Sequence, residues 1–192
     1  MPDAPQENPY PDSHVLGEGP EPHAQLKPVL ALLGRWHGSG SGEYPTLEQG
    51  FHYRQEITFS HDGRPFLRYE SRAWLVDGAG TALRPSGRES GWWRVLPDAS
   101  LEVVLAHPTG IVETYLGAVT DAGAGTGTAP GTELVVELAT DTVASTPRAK
   151  EVTGMRRRYA LRDGELSVEQ DMAAMGLPLE HHLSARLRPC QP

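Results

Sequence analysis

At 192 residues and 38% hydrophobic content, the chain suits a single domain with one core plus a tail. The formal net charge of −8 argues against a general nucleic-acid binder, whose phosphate contacts need a basic face. No apolar run approaches the ~18 residues of a membrane span, so no membrane partner is expected.

The first 23 residues, "MPDAPQENPYPDSHVLGEGPEPH", read as a disordered, acidic, Pro-rich tail. They lack the basic start and apolar run of a secretory signal, and the lone Cys190 cannot form an internal disulfide or take a structural role, so a cytoplasmic protein is expected. Next, "HAQLKPVLALLG" sets Leu26, Val29, Leu30 and Leu33 at helical spacing, with Pro28 in the first turn and Gly34 at the end, which predicts one short helix. Beyond Gly34 the pattern becomes strand-like, with runs rich in Val, Tyr, Trp and Thr separated by turn residues. Ten strands are predicted, near 35–43, 50–60, 65–76, 86–95, 101–107, 110–118, 132–140, 150–162, 165–174 and 180–188. "HDGRP", "VDGAG", "LPDAS", "HPTG" and "RDGE" supply the reversals between antiparallel neighbours. The segment 120–132 has no apolar anchors and reads as a flexible hairpin insertion, and 189–192 as a C-terminal tail.

Ten meandering strands with a single helix predict an all-β fold, an antiparallel up-and-down barrel over residues 24–188 of the lipocalin or fatty-acid-binding type. Closure removes the exposed edges of an open sheet. A barrel of this size is wider than its side chains can fill, so it encloses a ligand cavity, and the helix can cap one end. The glycine-dense stretch "GRWHGSGSGEYPT" is no phosphate cradle, because Gly42 is followed by Glu43, Tyr44 and Pro45 and not by Lys and a hydroxyl. It reads as a first strand that bends at the barrel corner and passes close to the occupant of the cavity.

Candidate chemistry centres on histidine. His14 and His23 fall in or beside the tail, and His61 and His107 in turns, so all four are expected to be solvated; His37 and His52 lie in or near strands. His181 and His182 open the last strand, and alternation sends at most one of them inward. Pattern alone favours His181, in phase with Leu179, Leu183, Ala185 and Leu187. The run Arg156–Arg158 reads as a strand with solvated charges, Arg157 on the opposite face from its neighbours, and Glu165 and Glu169 as a solvated pair. There is no zinc-finger spacing, H-E-x-x-H, nucleophile elbow or acid–base pair. An apolar cavity entered by a neutral imidazole suits axial ligation of a haem iron.

"GRWHGSG" followed by "GEYPT" resembles the G-x-W-x-G-x-G signature of the nitrobindin family, carried here by Gly34, Trp36, Gly38 and Gly40. "FHYRQEITFSHDGRPFLRYESRAW" is similar to that family's second and third strands, and "MAAMGLPLEHHLSARL" to its closing segment, with the iron-binding histidine in P-L-x-x-H-L. The resemblance implies a ten-stranded barrel holding ferric haem b, one that isomerises peroxynitrite to nitrate and binds nitric oxide reversibly. Carried over by position, Pro178 and Leu179 open the motif and His182 is the axial ligand, against the alternation reading; His181 then points outward. Thr46 and Lys150 match positions near the haem, Lys150 as a propionate partner, while Trp36 is expected to pack under the helix. Two other functions remain: a haem-free carrier of a fatty acid or other apolar ligand, and a nitric oxide carrier or sensor without turnover.

Overall fold

The computed structural model describes residues 10–122 and 133–190. Among these, ten antiparallel strands close into a barrel in the order β1-β10-β9-β8-β7-β6-β5-β4-β3-β2. They are β1 (Gly34–Gly42), β2 (Phe51–Ser60), β3 (Phe66–Val76), β4 (Ala82–Val95), β5 (Ser100–His107), β6 (Ile111–Ala122), β7 (Leu134–Ser145), β8 (Val152–Arg162), β9 (Glu165–Ala174) and β10 (Glu180–Pro189). The predicted strands are all present, and most of the expected insertion 120–132 lies outside the described residues.

The helix, Ala24–Leu32, is a 3₁₀ helix with Pro28 inside it, and it stops at Leu33 before Gly34 begins β1. Its start is capped by His23, whose Nδ1 accepts from the backbone N–H of Gln25 at 3.2 Å. Leu26, Val29 and Leu32 are fully buried and join the core, closing the barrel end where β1 starts. At that end Phe59, Trp93 and Tyr159 pack edge to face and Tyr69 packs tilted against Phe59, with ring centroids 4.9–6.5 Å apart. No helix among the described residues is long and apolar enough to cross a membrane.

The other end is open. Inward positions there (Phe51, Ala73, Leu75, Val152, Met172 and Leu183) pack on the core yet are only half-buried. Two ladders stop short on this side: β4 pairs with β5 only over Ser90–Val95, and β7 with β8 only over Leu134–Ala139. Above those points the wall parts on either side of the β5–β6–β7 segment. Most register shifts fall towards the same rim, in β3–β4, β8–β9 and β9–β10 and at Thr114/Tyr115 in β6–β7, where bulges re-aim side chains and end pairing.

In the N-terminal stretch, Ser13 forms a β-bridge with His61, with both backbone hydrogen bonds at 2.8 Å. His61 is therefore not solvated as its turn position suggested. It is 1% exposed, and burial pushes its imidazole below the ordinary range against the opposing pull of Asp62, Asp12 and Glu21.

Candidate functional site at the open end of the barrel

The glycines of β1 acquire a reason from the register. Trp36, Gly38, Gly40 and Gly42 all lie on the inner face, opposite Ile57, Gln55, Tyr53 and Phe51 of β2. Below Trp36 this wall carries no side chains. A β-carbon at Gly38 would collide with the carbonyl oxygen of Arg186 on β10, and one at Gly40 with the Ser184 carbonyl and the Tyr53 ring. Close strand approach and the Tyr53 ring thus demand glycine there. Gly42 borders the mouth: a β-carbon there would meet the Phe51 ring and Leu183. Trp36 packs beside the helix as expected, 5% exposed, its indole N–H donating to the Leu32 carbonyl at 2.8 Å.

β10 begins with the bulge that decides between the two adjacent histidines. His181 pairs with Asp171 and Leu183 with Gln170, so His182 is an extra residue with no pairing partner on β9. Alternation therefore fails across this step. His181 points outward, 3.3 Å from Asp171 and 2.9 Å from the Ser184 hydroxyl, which overturns the pattern-based placement. His182 is half-buried and lies edge-on to Tyr44 (ring centroids 5.4 Å apart) and Phe51 (6.4 Å).

Its Nδ1 sits 3.0 Å from the carbonyl oxygen of Glu43. A carbonyl only accepts, so Nδ1 carries the proton and Nε2 is the nitrogen with a free lone pair. Burial, joined by the neighbouring His181, lowers the imidazole's proton affinity below the ordinary range, against the Glu43 hydrogen bond, which raises it. The Glu43 N–H in turn donates to the His182 carbonyl at 2.9 Å. The loop carrying Glu43 is fixed by Tyr44, whose buried hydroxyl accepts from Ala174 N at 2.9 Å and lies 3.1 Å from the Ala174 carbonyl. A neutral imidazole oriented by a backbone carbonyl is the arrangement metal-ligating histidines use.

Thr46 and Lys150 are both exposed, in the β1–β2 and β7–β8 connections, and both connections lie at this open end. His37 and His52 point outward; His37 Nδ1 is 3.3 Å from the thiol of Cys190.

Deeper in the lumen lies a charged group that sequence reading missed. Arg157 is 3% exposed, so the reading of the triple-arginine run as solvated fails for its middle member. Its guanidinium reaches Glu89 on β4 (2.7 Å) and Glu113 on β6 (3.1 Å), and its Nε donates to the Tyr115 hydroxyl (2.7 Å). That hydroxyl donates to Glu113 at 2.6 Å, and His107 Nε2 lies 3.1 Å from the same carboxylate. His107 is thus a network member and not a solvated turn residue. Burial alone would raise the Glu113 carboxyl; the His107 hydrogen bond, the charges of Arg157 and His107 and the Tyr115 hydroxyl outweigh it and hold the group at about 2. The signal was present in the alternation: Glu113 is in phase with Ile111 and Tyr115, His107 with Leu101, Val103 and Leu105. Glu89, His107 and Glu113 offer ligand atoms within 4.8 Å of one another. Arg157 is already the cation between the two carboxylates, so a metal ion would have to displace it.

The model of the THAP4-like, heme-binding beta-barrel domain matches residues 25–188. The chain belongs to this family, that of the nitrobindins. Among its relatives, the peroxynitrite isomerase of Streptomyces griseus is 52% identical over 184 residues, 95% of this chain and 93% of that protein. That of Salinispora tropica is 47% identical, over 93% of this chain and 87% of its own. The crystal structure of Rv2717c from M. tuberculosis superposes with a TM-score of 0.78 at 36% identity, covering 89% of this chain and all of that one. The haem-binding barrel family thus accounts for the closed ten-stranded wall and its open end.

Proposed function

We propose that this protein binds ferric haem b through His182 at the open end of the barrel and isomerises peroxynitrite to nitrate, with reversible nitric oxide binding at the same iron. The observation that carries this reading is the His182 geometry: an imidazole expelled from the strand pairing by a bulge, protonated on Nδ1 by its bond to Glu43, with Nε2 left to coordinate. The names of the relatives give the substrate.

When bound, the haem supplies a Lewis-acidic ferric centre at which the peroxynitrite anion rearranges. The chain's own residues do the rest. Glu43 holds the ligand's tautomer, and Tyr44 and Phe51 fix the ring's tilt by edge contacts. The half-buried apolar positions Leu75, Met172 and Leu183 would give the macrocycle an apolar seat. Lys150 and Thr46, exposed in connections at this end, would meet the polar edge of the macrocycle, the lysine as a counter-charge to a propionate. The rearrangement moves no net proton, so no titrating side chain is required beside the iron.

The test is an absorption titration with ferric haem followed by stopped-flow mixing with peroxynitrite. The expected result is a Soret band at one haem per chain and peroxynitrite decay that accelerates in proportion to loaded protein, with nitrate rising over nitrite and added phenol nitrated less. A haem-free carrier gives no Soret band; a nitric oxide carrier without turnover gives reversible nitric oxide spectra but no faster decay.

A further inference from the structure

The charged bridge across the lumen has no task in that reaction, yet burying it is expensive. Ion pairs removed from water gain stability only when every member is well placed, and hydrophobic replacements are often as stable. Here one guanidinium spans from β8 to β4 and β6 and faces two carboxylates, Glu89 and Glu113. The neighbouring tyrosines add no charge, because burial pushes the hydroxyls of Tyr69, Tyr115 and Tyr159 upward. The bridge therefore carries one net negative charge while His107 is neutral and none when His107 is protonated.

It shares its wall with the ligand. A single inward rung runs Gly42–Leu183–Gln170–Arg157 over β1, β10, β9 and β8, and Leu183 directly follows His182. A ferric porphyrin core carries one more positive charge than a ferrous one. Carboxylates held in a water-poor lumen lower the energy of the ferric form more than that of the ferrous form, and a guanidinium does the reverse.

We propose that the Glu89–Arg157–Glu113 bridge sets the reduction potential of haem bound at His182, its two carboxylates favouring the ferric state and Arg157 limiting that bias. These are positioning residues that act through the field in the lumen. The proposal rests on the haem reading, and it gives the bridge a use. Peroxynitrite-to-nitrate isomerisation leaves the iron's oxidation state unchanged, so a site that resists reduction stays competent.

The experiment is a spectroelectrochemical titration of haem-loaded wild type, Glu89→Gln, Glu113→Gln, Arg157→Gln and the double variant Glu113→Gln/Arg157→Gln. All are measured at one pH, because His107 is charged only when protonated. The two glutamine-for-glutamate variants are expected to shift the midpoint positive, by about tenfold in the ferric-to-ferrous ratio at fixed potential, or ~59 mV for one electron. Arg157→Gln is expected to shift it negative, and the double variant to return towards wild type. Opposite signs separate a field effect from general loosening, which would move every variant the same way. Midpoints that do not move, or that all move together while the Soret band stays intact, overturn the proposal. Absence of a Soret band in wild type would overturn the haem reading itself and the proposal with it. Should Arg157→Gln fail to fold, Glu89→Gln and Glu113→Gln still decide the matter, since a negative or absent shift in both overturns the proposal.

Discussion

His182 and the Glu43 backbone are joined twice: the imidazole Nδ1 to the Glu43 carbonyl at 3.0 Å, and the Glu43 N–H to the His182 backbone carbonyl at 2.9 Å. This double tie links the end of β1 to the bulge in β10, so the glycine-rich strand and the histidine motif form one site although 139 residues separate them. It also holds the ring's angle before any ligand arrives. His182→Ala is expected to abolish the ferric Soret band and its response to nitric oxide, while His181→Ala, which removes only outward contacts to Asp171 and Ser184, leaves both intact. Haem titration of the two variants checks this, and the reverse outcome would restore the alternation reading.

Acid should release the haem through the same residue. The His182 proton affinity is lowered by burial, so the neutral, ligating form persists below the ordinary titration range and is lost only as pH falls through that lowered value. A spectrophotometric pH titration should show the Soret band stable at neutrality and through the ordinary imidazole range, and lost only at more acid pH. Loss of the band on raising the pH from neutrality would contradict the assignment.

Much of this site was legible in the sequence, and what was not had a specific cause. Period-two patterning marks ten strands, and the same pattern marks Arg157 and Glu113 as inward-facing; what it does not disclose is that their partners lie on β4, β6 and β8, pairings that only barrel closure creates. His181 was misplaced because alternation presumes an unbroken ladder, and a bulge inserts one residue without any compositional signal in "PLEHHL". The burial of His61 likewise depends on the Ser13 bridge, a tertiary contact reaching out of a segment whose composition resembles a tail.

Glu113 gives an acid-stability prediction with a definite sign. Its folded value of about 2 lies below the ordinary 4.5, so the folded state binds fewer protons; the stability this contributes is full above about pH 4.5 and is lost as pH falls towards 2. The shift corresponds to roughly 3 kcal/mol. Urea denaturation of wild type and Glu113→Gln should show a large gap at pH 7 that narrows steeply by pH 3. A gap independent of pH would mean that the carboxylate's charge is not what stabilises the bridge.

The glycines of β1 should differ from one another. Gly38→Ala sets a methyl against the Arg186 backbone, which cannot yield without breaking the β1–β10 ladder, so a loss of more than about 2 kcal/mol is expected. Gly42→Ala meets the Phe51 ring and the Leu183 side chain, which can repack, so the fold should survive while haem affinity drops because Phe51 touches His182. Gly78→Ala meets nothing within 4 Å and serves as the neutral control. Thermal melts and haem titrations of the three variants test the ranking, and equal tolerance would remove the packing explanation for the motif.

Lys150 lies exposed in the β7–β8 connection at the open end, so any pairing with a haem propionate takes place in water and under salt screening. Exposed ion pairs contribute roughly 0.2–1 kcal/mol, which limits Lys150→Ala to less than about a fivefold loss of haem affinity. The more telling quantity is its salt dependence: wild-type affinity should fall between low and high ionic strength, and the variant's should fall less, so that the two converge at high salt. The Soret band of the variant should keep its position, because iron coordination by His182 is untouched. A loss of a hundredfold or more, or a displaced Soret band, would place Lys150 in direct control of the iron site and not at its rim.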